Sequence, residues 1–495
     1  MPEPGSQSQP APRPPSGRGK RVVVIVSVLL LAVVVGLGAG LGAIMVADRL
    51  SLAGVYARRM APPEVLLPRP VLRPASVDGP TPTSSGVAAV LDPLVAEGGL
   101  GTLSGQVIDP VTGAVLWARN PGTALMPGST AKLLTAAAAL LVLDHHARFH
   151  TTVLAGAEPG TVVLRGGGDP TLSGAAPGAP TGYPGAARLD DLVDQVRAAV
   201  RGPVSRVLVD VSRYSGDALA PGWFPADVAA GYIAPIEPVM LDGGRADPAQ
   251  DVSPRAALPA SAAAAELARR LGADPAAVAL GAAPPGAAVL GDVSSPPVQD
   301  LIAAALEQSD NVLAETLARE VARATGAPPS FAGASQAVLT VLRSHGFDVS
   351  GATMVDGSGL SINDAVPATL LTQVLGAAAA PDSIHQPFQQ QSPQQSPQQG
   401  QQQRTTALRA LLVGLPVAGG SGTLADRYQG AAAGGRGWVR AKTGTLTGVN
   451  SLAGTVLDAD GRVLVFALLS NGPNPSTVRP RLDALAAGLR ACGCH

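Results

Sequence analysis

Residues 127–143 read PGSTAKLLTAAAALLVL, and the rest of the chain is best read outward from them. No charge follows Lys132 until Asp144. A helix that is apolar all round is buried, and at about fifteen residues this one is too short to span a membrane. The spacing puts Ser129 and Lys132 at i and i+3, neighbours on one helix face. A Ser hydroxyl is a weak nucleophile that needs an adjacent base. A Lys in a mostly apolar helix is desolvated, which lowers its pKa towards a useful range. Ser129 would also lie at the helix N-terminus, where backbone N–H groups favour a developing oxyanion. By itself S-x-x-K is a weak signal.

Upstream, residues 103–120 (LSGQVIDPVTGAVLWARN) predict a hairpin, with its turn at Asp109-Pro110-Val111-Thr112-Gly113. Folded sequence is expected from about Val87. Downstream, residues 149–292 mix short Val/Leu runs with Gly/Pro turns and a helix at 262–271, and read as a separate β-containing inserted domain. From Val298 two helical runs flank the break Gln308-Ser309-Asp310. Residues 437–445, 450–457 and 462–470 predict successive antiparallel strands, the last two joined by Asp458-Ala459-Asp460-Gly461. The C-terminal run carries Val478, Leu482, Leu485 and Leu489 at helical spacing, with Ser476 as the expected cap. The order is strand pair, buried helix, long insertion, helices, three strands, helix. It predicts an α+β fold, an antiparallel sheet flanked by helices with a large insertion. The main domain is assigned to 87–148 and 293–495. Within it, residues 386–403, almost wholly Gln, Pro and Ser, read as a disordered insertion.

The 495-residue length allows two to four domains. Lys and Arg total 35 against 36 Asp and Glu, a net charge of −1, which argues against a nucleic-acid binder. Lysine is scarce: only Lys20, Lys132 and Lys442 occur. In an Arg-rich chain, a position that stays Lys is a candidate for chemistry that Arg, which does not deprotonate, fails to perform. The histidines show no HExxH and no Cys/His spacing, so neither a metal nor a cofactor is expected. Cys492 and Cys494 read first as an incidental tail and second as a redox-labile or intermolecular pair.

Residues 1–21 are Pro-, Gly- and Ser-rich with four basic residues, and read as a cytoplasmic tail. Residues 22–47 run 26 positions without a charge, long enough for a transmembrane signal anchor. The short basic leader favours N-terminus in and bulk out. Residues 48–86 read as a Pro-rich stalk, of which 51–86 would reach ~110 Å at about 3.1 Å per residue. The folded bulk of the chain is therefore expected outside the cytoplasmic membrane.

Two further motifs stand apart in sequence. Lys442-Thr443-Gly444-Thr445 lies in a predicted strand near a sheet edge. An ammonium beside a hydroxyl suits a carboxylate, and Gly444 lets a ligand backbone approach. Ser309-Asp310-Asn311 fills the break between helices. Its Ser can pass a proton and its Asn amide can hold a peptide group. All three residue types also serve as helix N-caps. Each motif alone is weak, but S-x-x-K, S-D-N and K-T-G in this order are the signature of penicillin-binding proteins and serine β-lactamases.

More of the chain resembles one branch, the class C low-molecular-mass penicillin-binding proteins. These are DacB-like D-alanyl-D-alanine carboxypeptidases and endopeptidases with a large insertion between the first two motifs. The matching stretches are PGSTAKLLTAAAAL at 127–140, GGGDPTL at 166–172, PGW at 221–223 and YIAPI at 232–236. They continue with VDGSGLS at 355–361, SGTLADR at 421–427 and AKTGTLTGVNSLAG at 441–454. The resemblance runs from about Val87 to the C-terminus. Here 177 positions separate Lys132 from Ser309, where a β-lactamase needs only a short segment. Gly128 stands where the family commonly has Ala, and the Gln-rich stretch and the anchor are departures.

The resemblance implies a serine DD-peptidase acting on peptidoglycan stem peptides, and covalent binding of β-lactam antibiotics. It implies that Ser129 attacks, Lys132 takes its proton, and Ser309 relays a proton to the leaving amine with Lys442 nearby. Asn311 would hold the substrate amide. Lys442 and Thr443 would bind the terminal carboxylate, beside Gly444. The N–H groups of Ser129 and Thr445 would form the oxyanion hole. Two alternatives stay open: a serine β-lactamase, and a non-catalytic wall-binding module of the same fold.

Overall fold

The computed structural model describes residues 79–381 and 404–493. The expected tail, membrane anchor, most of the stalk and the Gln-rich stretch lie outside them. Among the described residues no helix is long and apolar enough to cross a membrane.

The elements before the insertion are α1 (Ser84–Ala96), β1 (Thr102–Ile108), β2 (Val115–Arg119), β3 (Ala124–Leu125) and α2 (Lys132–Val142). The inserted segment supplies β4 (His150–Ala155), β5 (Thr161–Arg165), α3 (Leu189–Ala199), β6 (Arg206–Asp210), α4 (Pro259–Leu271), β7 (Ala279–Leu280) and β8 (Val289–Ser294). Then come α5 (Val298–Glu307), α6 (Asn311–Ala324), α7 (Phe331–Ser344), β9 (Val366–Pro367) and α8 (Ala368–Ala379). The chain closes with β10 (Val439–Leu446), β11 (Val449–Leu457), β12 (Val463–Asn471) and α9 (Pro475–Ala491).

The main sheet is antiparallel in the order β10-β11-β12-β1-β2, with β10 at an edge. Successive residues of β12 point to opposite faces, as the two-residue period requires. Val465, Ala467 and Leu469 enter a core built with α2, α5, α6, α7 and α8. Leu464, Phe466 and Leu468 enter a second core with α1 and α9. Residues 133–140 of α2 are all buried, as a stretch without charge demands, and Lys132 is buried with them. The inserted segment builds its own mixed sheet, β7-β6-β5-β4-β8, in which β5/β6 and β6/β7 run parallel. Its core is separate. A further core joins Trp223, Ile233 and Met240 of the insertion to Val312, Phe331 and Leu360.

Several boundaries differ from expectation. Order begins before Val87: Thr83 caps α1 by accepting from Gly86 N at 3.1 Å, so these Ser/Thr residues start a helix rather than end a stalk. Residue 292 falls inside β8, whose register with β4 continues to Ser294. Asn474, not Ser476, caps α9; its Oδ1 accepts from the Ser476 amide at 2.9 Å. Cys492 is buried in the second core and disulfide-bonded, so this part of the tail is structural. Cys494 lies outside the described residues.

Candidate active site

Three elements meet at one cleft. The Pro127–Gly128 lead folds into a 3₁₀ turn at Gly128–Ala131, and α2 proper begins only at Lys132. Ser129 thus rides on the tighter turn rather than on the α-helix. It is partly exposed, while Lys132 is buried beneath it. Lys132 Nζ donates to Ser129 Oγ at 2.9 Å, to Asn311 Oδ1 at 2.5 Å and to the Ser358 carbonyl at 2.9 Å. All three ammonium donors have partners, which fixes the lysine opposite the hydroxyl.

The α5–α6 break supplies the second wall. Ser309 adopts φ +59°, a left-handed backbone that is rare for a residue with a side chain. Such conformations cost of order 1–3 kcal/mol and cluster at functional sites. The cap and site readings of Ser309-Asp310-Asn311 both apply, to different residues. Asp310 caps α6 by accepting from Leu313 N at 2.9 Å. Asn311, the first helical residue, turns its amide to Lys132 and donates to the Tyr232 carbonyl at 2.8 Å.

Edge strand β10 forms the third wall. Lys442 Nζ donates to Ser309 Oγ at 2.9 Å and to the Thr443 carbonyl at 3.0 Å. The Thr443 and Thr423 hydroxyls lie 2.8 Å apart. Gly444 packs against the nucleophile's turn: a methyl there would overlap Ser451 Oγ and Pro127 O, and would lie 3.0 Å from Ser129 N. A methyl at Gly128 would lie 3.2 Å from Thr445 N. The Ser129 and Thr445 amides therefore belong to closely facing backbones. Gly444→Ala should push the turn off the strand. A displacement near 1 Å costs about 100-fold in rate; stopped-flow acylation by a fluorescent penicillin would measure it, and an unchanged rate would refute the close-packing argument.

Burial lowers the Lys132 ammonium to about 8, against the opposing pull of Asp356, Glu315, Asp310 and Asp364. Lys442 is pushed well below its ordinary value, first by burial and then by the charge of Lys132. Burial would raise the Asp310 carboxyl, but Arg245, Arg255, the Leu313 amide and the Tyr183 hydroxyl hold it below its usual value. Burial and Asp356 push Glu315 up to about 8.

The sequence motifs miss an outer ring of positioning groups. The Ser358 carbonyl holds Lys132, and its loop is fixed by Asp356 Oδ1, which accepts from the Ser358 and Gly359 amides at 3.0 and 2.6 Å. Trp223 of the insertion donates to Asp356 Oδ2 at 2.7 Å. Glu315 accepts from Gly357 N at 2.9 Å. Tyr183 and Arg245, also from the insertion, donate to Asp310 Oδ2 at 2.8 and 2.9 Å. Two chains of contact thus run from the insertion to Lys132, one through Asp356 and one through Asp310 and Asn311. The family-like stretches PGW, YIAPI, VDGSGLS and SGTLADR contain Trp223, Tyr232, Asp356 with Ser358, and Thr423. They were the available signal, but they carry no hint of which atom points where.

With this geometry in view, the likeness to known proteins is consistent throughout. The sequence profile of the D-Ala-D-Ala carboxypeptidase 3 (S13) family matches residues 87–252, 245–394 and 397–490. The chain belongs to this family and is a serine-type D-Ala-D-Ala carboxypeptidase of the penicillin-binding class. It is 48% identical over 430 residues to carboxypeptidase DacB of Mycolicibacterium smegmatis, covering 86% of this chain and 88% of that one. It is 47% identical over 451 residues to a carboxypeptidase of Mycobacterium tuberculosis, covering 89% and 91%. The crystal structure of penicillin binding protein 4 (dacB) from Haemophilus influenzae shares the fold, with TM-score 0.63 at 21% identity over 82% of this chain and 98% of that one.

Proposed function

We propose that the chain is a membrane-anchored, wall-side DD-peptidase that releases terminal D-alanine from peptidoglycan stem peptides through an ester on Ser129. The observation that carries this reading is the pair of lysine contacts, Lys132 to Ser129 and Lys442 to Ser309, each at 2.9 Å. Ser129 Oγ attacks the scissile carbonyl and its proton passes to Lys132. The Ser129 and Thr445 amides receive the oxyanion. Collapse expels the D-alanine amine, which takes a proton through Ser309 beside Lys442. Water then cleaves the ester. Asn311 orients the substrate amide. The substrate's terminal carboxylate faces Lys442, Thr443 and Gly444. An anion there favours the charged ammonium that burial disfavours, so binding and protonation of Lys442 reinforce each other. The two relatives named carboxypeptidases support terminal release over cross-link cleavage. Anchoring rests on the 26 uncharged residues at 22–47.

The test uses purified wall fragments and mass spectrometry. The intact protein should release D-alanine from pentapeptides and form a lasting penicillin adduct, and Ser129→Ala should do neither. Rapid penicillin turnover without D-alanine release would replace this reading with a β-lactamase.

A further inference from the structure

A cavity of about 440 Å³ opens where the inserted sheet meets the far end of α6. Arg148, His150, Arg165, Arg213 and Arg323 line it, together with the Gly166–Gly167 backbone. Four guanidinium groups around one cavity is a notable gathering in a chain with only 14% charged residues and a net charge of −1.

The carboxylates nearby do not account for all of them. Glu320 takes Arg213 in a two-pronged pair at 2.8 and 2.6 Å and lies 3.7 Å from Arg323 Nε. Asp292 takes His150 at 3.0 Å. Asp210 accepts from the Ser212 amide at 2.9 Å. Among the described residues Arg148 donates to the Ser295 carbonyl at 2.7 Å, and Arg165 to Thr152 Oγ1 at 3.3 Å. Among the described residues neither has a carboxylate partner, and both are exposed. Neither caps a helix nor neutralises a buried acid, so the fold gives no reason for their charge.

We propose that this cavity is an anion-binding exosite that holds a carboxylate- or phosphate-bearing part of the wall polymer, with Arg148 and Arg165 as its principal donors. A guanidinium fork matches the paired oxygens of either group. The site is separate from the reacting bond. Asn311 and Arg323 lie at opposite ends of α6, about 18 Å apart at 1.5 Å per residue. An extended peptide reaches at most about 3.3–3.6 Å per residue, so a chain laid along that helix needs about five residues to span it, and the bound anion lies several residues from the scissile bond or on a neighbouring strand of the polymer. Its effect is to raise the local concentration of stem peptides at Ser129, as any second tether does. The inference rests on the wall being the substrate, which penicillin acylation and D-alanine release test on their own.

The experiment compares the full chain with Arg148→Gln/Arg165→Gln. Three properties are measured: binding to insoluble peptidoglycan, penicillin acylation, and release of D-alanine from a small soluble acyl-D-Ala-D-Ala peptide. Charge-assisted hydrogen bonds of this kind correspond to about tenfold or more in affinity. The variant should bind the wall about tenfold more weakly, with a shallower salt dependence, and keep its acylation rate and small-peptide activity. Repeating the binding on peptidoglycan extracted to remove phosphate-bearing polymers separates the sources. A difference that persists identifies stem-peptide carboxylates, and one that vanishes identifies phosphate. Equal wall binding by both proteins, before and after extraction, would overturn the exosite. So would a matching fall in penicillin acylation, which would assign the arginines to the fold.

Discussion

Lys132→Arg is expected to fold and to lose acylation by about 10²–10⁴-fold, the usual worth of a positioned general base. The parent lysine sits 2.9 Å from Ser129 Oγ with its other donors on Asn311 and Ser358. Burial brings its pKa to about 8 even though four carboxylates pull the other way. A base acts in its neutral form, so parent acylation should rise with pH through about 8 and then level. Guanidinium stays charged across this range, so the Arg variant should lack the rising limb as well as the rate. Stopped-flow acylation by a fluorescent penicillin, from neutral to mildly alkaline pH, reads both. An Arg variant that acylates at the parent rate would remove Lys132 from the chemistry. The scarcity of lysine would then carry no meaning. As it stands, two of the three lysines in the chain each hold a serine hydroxyl at 2.9 Å in one cleft, where Arg would have served for charge alone.

The parts of the fold that were legible in the sequence share a physical property. The hairpin, the α2 helix and the last three strands are long apolar runs bounded by turn residues, so local pattern and tertiary burial agree. The site motifs were legible because side-chain chemistry and order along the chain both point to them. What escaped was of three kinds. Thr83-Ser84-Ser85 reads as linker polarity, yet the Thr83 hydroxyl caps a helix that the two serines begin. At α9, Asn474 and Ser476 are both good caps, and only the backbone decides that the Asn oxygen accepts while the Ser amide donates. The third kind is long-range. The Ser358 carbonyl is a backbone atom without a residue signature, and Tyr183, Trp223 and Arg245 reach the cleft across as many as 133 positions. No periodicity registers such contacts. They change the reading of the insertion, which is not merely appended between two motifs but carries part of the support for both.

Arg245→Met tests that support and should cost about 3–5 kcal/mol, the usual loss when one partner of a buried ion pair is removed. The side chains of Arg245 and Asp310 are 9% and 2% exposed, and their closest approach is 2.9 Å. Arg245 also donates to Tyr183 OH at 2.7 Å, and that hydroxyl donates to the same carboxylate oxygen. Without the guanidinium, Asp310 keeps its charge in a buried site with Arg255 too weak a substitute, or it takes up a proton. Either outcome loosens the start of α6, where Asp310 caps the helix and Asn311 holds Lys132. The variant should therefore unfold at lower denaturant and acylate more slowly. Adding Asp310→Asn should recover part of both losses, because a neutral amide needs no counter-charge and still caps a helix well. That recovery distinguishes a charge-pairing role from lost packing, since the double variant has no more packing atoms than the single one. An Arg245→Met protein with unchanged denaturation midpoint would show that the insertion merely lies against the site, and no recovery in the double variant would place the loss in the guanidinium's other hydrogen bonds, to the Tyr183 hydroxyl and the Asp242 carbonyl.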